Sequence, residues 1–198
     1  AGARLMVLES VALDGVRELP LAAFEGAVAA LEEGGAAIER REVPWLGDLI
    51  PVGGPLFGGE AWAIWGELLE AGPEKVFPPI LQRFRGGKGM LVTDCLRGWA
   101  RLDEMRARWA AETAGFDAVL IPVSAILPPD AGRLLADPAF FMAENLLGLR
   151  NTRIANLLGL CALSLPTGVP SCGLMLMAPP GAEARLLRLG AAAERALT

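Results

Sequence analysis

The sequence has 198 residues, of which 53% are hydrophobic and 6% aromatic, and its formal net charge is -5. This acidic balance argues against nucleic acid as a partner, because phosphate binding requires lysine and arginine clustered on one face. The absence of histidine and tyrosine from the sequence excludes a Ser-His-Asp triad, a Cys-His dyad and any histidine-based metal site within it. We therefore expect no metal and no cofactor.

The cysteines and the start of the chain bear on its cellular setting. Cys95, Cys161 and Cys172 are odd in number and far apart, which favours reduced side chains in a cytoplasmic protein. There is no signal peptide pattern and no apolar run near the roughly 20 residues that span a bilayer, so we expect no membrane contact. The chain begins at Ala1 without methionine, which indicates a processed, truncated or partly represented polypeptide.

The first segment of the chain predicts a strand, a helix and a second strand. Arg4–Leu8 is almost continuously apolar, as in a strand covered on both faces. A helix is expected over residues 21–33, after Pro20, and a polar edge strand over 37–43. This order implies a right-handed crossover onto a parallel sheet.

The middle of the chain is less regular. Residues 44–59 are rich in glycine and proline and predict an irregular connection, whereas 60–71 have helical periodicity. The longest helix is expected over 91–114, and a buried strand over 116–124. Residues 128–138 begin a long excursion that contains several prolines.

The last segment predicts a short helix over 150–160, a buried strand over 161–165 and a turn over 167–173. A second buried strand over 174–177 and a helix over 182–196 close the chain. Strands that alternate with helices place the sequence in the α/β class. We expect residues 1–198 to form a single α/β unit.

Two motifs in this last segment resemble a known family. Residues 156–168 read NLLGLCALSLPTG, and residues 173–177 read GLMLM. They resemble the C-terminal half of amidase-signature hydrolases, in which an N-x-x-G-L-P-A-x-S-x-P-x-G run precedes a G-L-x-L strand and a closing helix. Cys161 stands where the family usually has proline, and the turn over 167–173 is shorter than usual.

The resemblance extends weakly from about Arg4 to Leu197, and it includes Asp117 and Pro122 of the predicted strand FDAVLIPVS. It implies a mixed, largely parallel β-sheet layered between α-helices and shared with an N-terminal half. We therefore expect the chain to be the C-terminal portion of an amidase-like domain.

The resemblance implies a Ser–Ser–Lys triad in the intact enzyme, carried by an N-terminal half that this sequence does not contain. The serines here are Ser10, Ser124, Ser164 and Ser171, and none lies beside a lysine in sequence. Ser164 falls in a predicted buried strand, where its hydroxyl is expected to bond to backbone. We predict no catalytic residue in this chain and no activity for the chain alone.

Five polar residues on one short segment are the predicted substrate-binding residues. They are Arg150, Asn151, Thr152, Arg153 and Asn156. Arginine offers a bidentate fork for a carboxylate, so this segment suits the carboxylate or amide end of a substrate. In the alternative interpretation, Thr152 and Asn156 cap backbone groups and hold neighbouring strands. Glu144 and Asn145 extend either role.

The leading hypothesis is the C-terminal portion of an amidase-type hydrolase that cleaves a carbon–nitrogen bond in a small linear amide. This portion contributes sheet and pocket walls. One alternative is a non-catalytic assembly or binding subunit of amidase-like fold. A second is a small cysteine enzyme, which the lack of histidine disfavours. The high apolar content and a sheet cut at its seam predict a partner, either the N-terminal half or a second copy in a homo-oligomer.

Overall fold

The computed structural model describes residues 2–197 and contains one five-stranded mixed sheet in the order β2-β1-β3-β5-β4. Its strands are β1 (Arg4–Leu8), β2 (Ala37–Arg41), β3 (Ala118–Pro122), β4 (Cys161–Pro166) and β5 (Gly173–Ala178). β1 pairs in parallel with β2 and β3, whereas β5 pairs antiparallel with β3 and β4. Parallel pairing is therefore confined to one side of the sheet.

Seven α-helices accompany the sheet within the described residues. They are α1 (Glu18–Glu33), α2 (Leu49–Ala71), α3 (Pro78–Arg85), α4 (Val92–Thr113), α5 (Ala131–Ala136), α6 (Pro138–Leu158) and α7 (Glu183–Leu197). Short 3-10 helices precede and follow α2, at Pro44–Asp48 and Pro73–Lys75. Between residues 2 and 197, no helix combines the length and the apolar character needed to cross a membrane.

The strands bury alternate residues against two helical layers, as the pleat of a sheet requires. Met6 and Leu8 of β1 belong to the core that α2, α4 and α6 cover, whereas Leu5 and Val7 belong to the core beneath α1 and α7. β3 and β5 divide their side chains in the same way. The predicted α/β class, with a mixed sheet layered between helices, is confirmed.

β4 corrects one prediction, because it is an edge strand and not a buried one. Leu163 packs against α7, where a Cβ on Gly190 would lie 2.1 Å from the Leu163 Cδ2 atom. The opposite face of β4 is open, and Ala162 and Ser164 are exposed there. The apolar composition of 161–165 therefore reflects coverage on one face only.

Residues 44–59 are another correction, because they form a 3-10 helix and the first half of α2. Pro51 lies in the first turn of α2, where its missing N–H costs nothing, although Pro55 lies inside the helix. Glycine serves here to bring helices together. A Cβ on Gly53 would lie 2.1 Å from the Cδ2 atom of Leu157 in α6.

α6 is the third correction, since the predicted short helix and much of the excursion before it form a single helix of 21 residues. The Asp137 carboxylate caps its start, accepting the N–H groups of Ala139 and Phe140 at 3.0 Å each. Gly159 ends it in the left-handed conformation, with φ of 68°. The predicted substrate-binding residues therefore occupy the last turns of a long, well-anchored helix.

Candidate functional site

Asn151 is the most buried of the predicted site residues, with no exposed surface. Its side-chain nitrogen donates to the backbone oxygen of Pro122 at 2.7 Å and to that of Ala12 at 3.0 Å. Asn151 thus joins α6 to the end of β3 and to the loop after β1.

Arg150 holds the same loop from the adjacent position. It donates to the backbone oxygens of Ala12, at 3.1 Å, and Asp14, and its Nε donates to Asn151 Oδ1 at 3.1 Å. Burial lowers the pKa of Arg150, and the nearby Asp14 partly opposes this. The loop needs such anchoring because Val11 has a φ of 58°, which is unfavourable for a β-branched residue.

Thr152 and Asn156 lie on an exposed face of α6. The Thr152 hydroxyl donates to the backbone oxygen of Leu149 at 3.0 Å, within its own helix. The five predicted residues therefore do not form one surface. Two lie against the loop after β1, two face outward, and Arg153 alone lines a cavity.

The Arg153 cavity lies between α2, α3 and α6 and has a volume of about 550 Å³. Most of its wall is apolar, and includes Ile50, Phe57, Met90, Leu146 and Leu157. Arg153 and Leu157 follow Leu146 by 7 and 11 residues along α6, which puts the three on one stripe of the helix.

Arg83 of α3 shares this cavity with Arg153. Burial lowers the pKa of Arg153, and the positive charge of Arg83 lowers it further. Arg83 donates to Asn145 Oδ1 at 2.8 Å. Across residues 2–197 neither guanidinium forms an ion pair with a carboxylate. Two uncompensated cations beside apolar walls suit a ligand that carries a carboxylate.

Sequence patterns gave no reason to select Arg83. It lies 70 positions before Arg153 in the numbering, and only the packing of α3 against α2 brings it to the cavity. Its position in the last turn of an amphipathic helix is equally typical of a solvated arginine.

The serines and lysines form no catalytic arrangement within the described chain. Ser10 Oγ accepts the N–H of Val43, and Ser124 Oγ bonds to the backbone of Ile126 at 3.0 Å. The Lys88 ammonium lies 5.5 Å from the centre of the Trp62 ring. Residues 2–197 also hold no group of three or more acidic or cysteine side chains able to bind a metal ion.

The sequence of this chain is similar to that of a known enzyme. The 2-amino-5-chloromuconic acid deaminase of Comamonas testosteroni is 31% identical over 172 residues, which cover 84% of this chain and 37% of the deaminase. The chain is a relative of the amidase-signature hydrolases. No family model matches it.

Solved structures support the amidase-signature fold. An allophanate hydrolase from Kluyveromyces lactis superimposes with a TM-score of 0.79 at 16% identity, covering 97% of this chain and 32% of that one. A structure described as an amidase superimposes with a TM-score of 0.78 at 22% identity, covering 100% of this chain and 46% of that one. The chain thus spans less than half the length of these proteins, as a C-terminal half of an amidase-signature protein would.

Proposed function

We propose that this chain is the C-terminal portion of an amidase-type hydrolase that cleaves the carbon–nitrogen bond of a small linear amide. Residues 1–198 form one α/β unit of an amidase-like domain, and an N-terminal portion supplies the Ser–Ser–Lys triad. The relationship to amidase-signature hydrolases supports the reaction type. The absence of a serine–lysine arrangement from residues 2–197 supports the division of labour between the two portions.

The Arg153 cavity is the observation that carries this proposal. A hydrolase acting on one class of amide needs groups that hold the substrate away from the reacting bond. Arg153 and Arg83 are placed to bind a carboxylate in an apolar cavity of about 550 Å³, which is large enough for a small molecule. The substrate is therefore an amide that also carries a carboxylate.

The other four predicted residues have two different roles outside the cavity itself. Arg150 and Asn151 are positioning residues, because they fix α6 to β3 and to the loop after β1. Thr152 and Asn156 are exposed and are available to the N-terminal portion or to a substrate held between the two portions.

A partner covers the surfaces that this chain leaves open. β4 has a free edge and an exposed face, and unpaired edges invite pairing. Large apolar side chains of α2 and α4 are also exposed, among them Ile64, Leu68, Val92 and Leu96. The partner is the N-terminal portion or a second copy of the chain. We place the chain in the cytoplasm, where its free cysteines stay reduced. They are Cys95, Cys161 and Cys172.

A non-catalytic assembly or binding subunit is the second candidate. The exposed apolar surface favours it, together with the lack of a serine–lysine catalytic arrangement in the described chain. The upstream coding sequence separates the two candidates. A lysine followed by a glycine- and serine-rich run supports the hydrolase, whereas a start codon directly before Ala1 supports the subunit.

The test is to express the chain with its upstream coding sequence and to assay two aryl amides of similar size, glutaryl-4-nitroanilide and pentanoyl-4-nitroanilide. Only the first carries a carboxylate. We expect Arg153→Met to lower kcat/KM for the glutaryl amide about tenfold, the usual effect of losing a charge-assisted hydrogen bond, and to leave the pentanoyl amide almost unchanged. Arg97→Met is the matched control, since Arg97 is 81% exposed. Equal effects on both amides would contradict the proposal.

A further inference from the structure

A second cavity lies on the other side of α6 from Arg153. Its volume is about 350 Å³, and its walls come from α5, α6 and residues 124–129. Apolar side chains dominate the lining, including Ile126, Leu134 and Phe141, and Glu144 is its one carboxylate. Glu144 and Gly148 lie on the face of α6 opposite the stripe that carries Arg153.

Glu144 is buried and only half satisfied. Its side chain is 7% exposed, and Oε1 accepts a hydrogen bond from the Arg17 guanidinium. Oε2 is inaccessible and has no hydrogen-bond partner within residues 2–197. A buried acceptor without a donor is costly, by roughly 1–3 kcal/mol and more for a charged group, so such atoms call for a specific explanation.

Arg17 determines what kind of group is missing. It already balances the charge of Glu144, and its backbone N–H donates to the oxygen of Ala125 at 2.9 Å, which fixes it beside the cavity. What Oε2 lacks is therefore a hydrogen-bond donor and not a second positive charge. A neutral N–H group satisfies it and leaves the ion pair neutral.

Ser124 and Asn145, two other polar residues of the lining, already form hydrogen bonds, whereas the third, Ser171, is exposed. Ser124 Oγ donates to the backbone oxygen of Ile126 at 3.0 Å, and Asn145 Oδ1 accepts from Arg83 at 2.8 Å. Glu144 lines the cavity, and the terminal torsion of a glutamate is soft, so its carboxylate can rotate toward a ligand seated there.

We propose that this cavity binds the neutral amide N–H group of a small apolar molecule, with Glu144 as the acceptor. The site goes beyond the proposed function, because it is separate from the Arg153 cavity and its binding requires no turnover. Apolar walls bury the body of the ligand, and the Glu144 carboxylate orients its amide end.

The test is titration of the purified 198-residue chain, observed by ¹H–¹⁵N NMR, with hexanamide, hexylammonium and methyl pentanoate. All three have apolar chains of similar length, but they end in a neutral N–H donor, a charged donor and no donor respectively. We expect hexanamide to shift the signals of residues that line the Glu144 cavity and to bind at least about fivefold more tightly than either other probe, the difference that one hydrogen bond makes.

Glu144→Gln is the decisive variant, because it keeps the side-chain volume and one acceptor for Arg17 but places an NH₂ donor where Oε2 stood. We expect it to remove the preference for hexanamide over methyl pentanoate. Glu42→Gln is the matched control on an exposed glutamate, and Leu134→Trp, which fills the cavity, should abolish binding of all three probes.

Three results would overturn the proposal: a preference for hexanamide that survives in Glu144→Gln, tighter binding of hexylammonium than of hexanamide, or shifts confined to the Arg153 cavity. Thermal unfolding verifies that each variant is folded. If Glu144→Gln does not fold, Leu134→Trp tests the location of binding independently. Arg153→Met should leave hexanamide binding unchanged, so the outcome here is separable from that of the proposed function.

Discussion

Asn151 donates to the backbone oxygens of Pro122 and Ala12 at once, at 2.7 and 3.0 Å. One fully buried amide thereby ties α6 to β3 and to the loop that follows β1. Because both cavities are built on α6, their shape depends on this contact.

Asn151→Leu, a change that nearly preserves volume, should destabilise the chain by about 2–4 kcal/mol. It removes the Asn151 donor from the buried Pro122 carbonyl, leaves Ala12 with Arg150 as its donor, and removes the acceptor of Arg150 Nε. Urea unfolding followed by circular dichroism measures this. Asn156→Leu is the control on an exposed site of the same helix, with an expected change within about 0.5 kcal/mol. Equal effects of the two variants would show that the Asn151 contacts carry little stability.

The close approach of Gly87 to α2 predicts a second effect on stability. A Cβ on Gly87 would lie 1.9 Å from the backbone oxygen of Gly58, whereas a Cβ on Gly89 would have no atom within 4 Å. Backbone cannot move aside as a flexible side chain can, so Gly87→Ala should cost about 1–3 kcal/mol. Gly89→Ala should be almost neutral. Equal melting temperatures of the two variants would contradict the close contact of these segments.

The open surfaces predict that purified 1–198 self-associates at micromolar concentration or binds a hydrophobic dye. Exposed patches above roughly 600 Å² are unusual in monomers, and the exposed fractions of Leu68 and Leu96 are 66% and 65%. Replacing both leucines with lysine should reduce dye binding and the mass measured by light scattering. A wild-type chain that is monomeric, binds no dye and unfolds in one cooperative transition would contradict this prediction.

Sequence patterns correctly predicted the elements whose local composition agrees with their burial in the folded chain. Arg4–Leu8 is almost continuously apolar, its residues 5–8 are buried, and its predicted bounds match β1. The turn between β4 and β5 lies where proline and glycine cluster. Both features depend on short-range composition, which is visible in the sequence.

The errors lie where packing overrides local signals. Glycine and proline in 44–59 indicated a loop, yet the glycines of α2 allow other helices to approach closely. Asp137 and Pro138 lie in the predicted excursion over 128–138, although a capping aspartate followed by proline is also a helix start. Arg83 and Arg153 line the same cavity because of tertiary contacts between distant segments, so no local sequence pattern predicts their proximity.

We propose that residues 1–198 alone bind a carboxylate-bearing amide but do not hydrolyse it. The most direct test is NMR titration with glutaryl-4-nitroanilide, with release of 4-nitroaniline monitored in the same sample. We predict saturable shifts at the Arg153 cavity, about tenfold weaker binding by Arg153→Met than by Arg97→Met, and no hydrolysis above the rate without protein. Hydrolysis that Ser164→Ala abolishes would contradict the proposed division of labour, and binding that Arg153→Met leaves unchanged would contradict the assignment of the cavity.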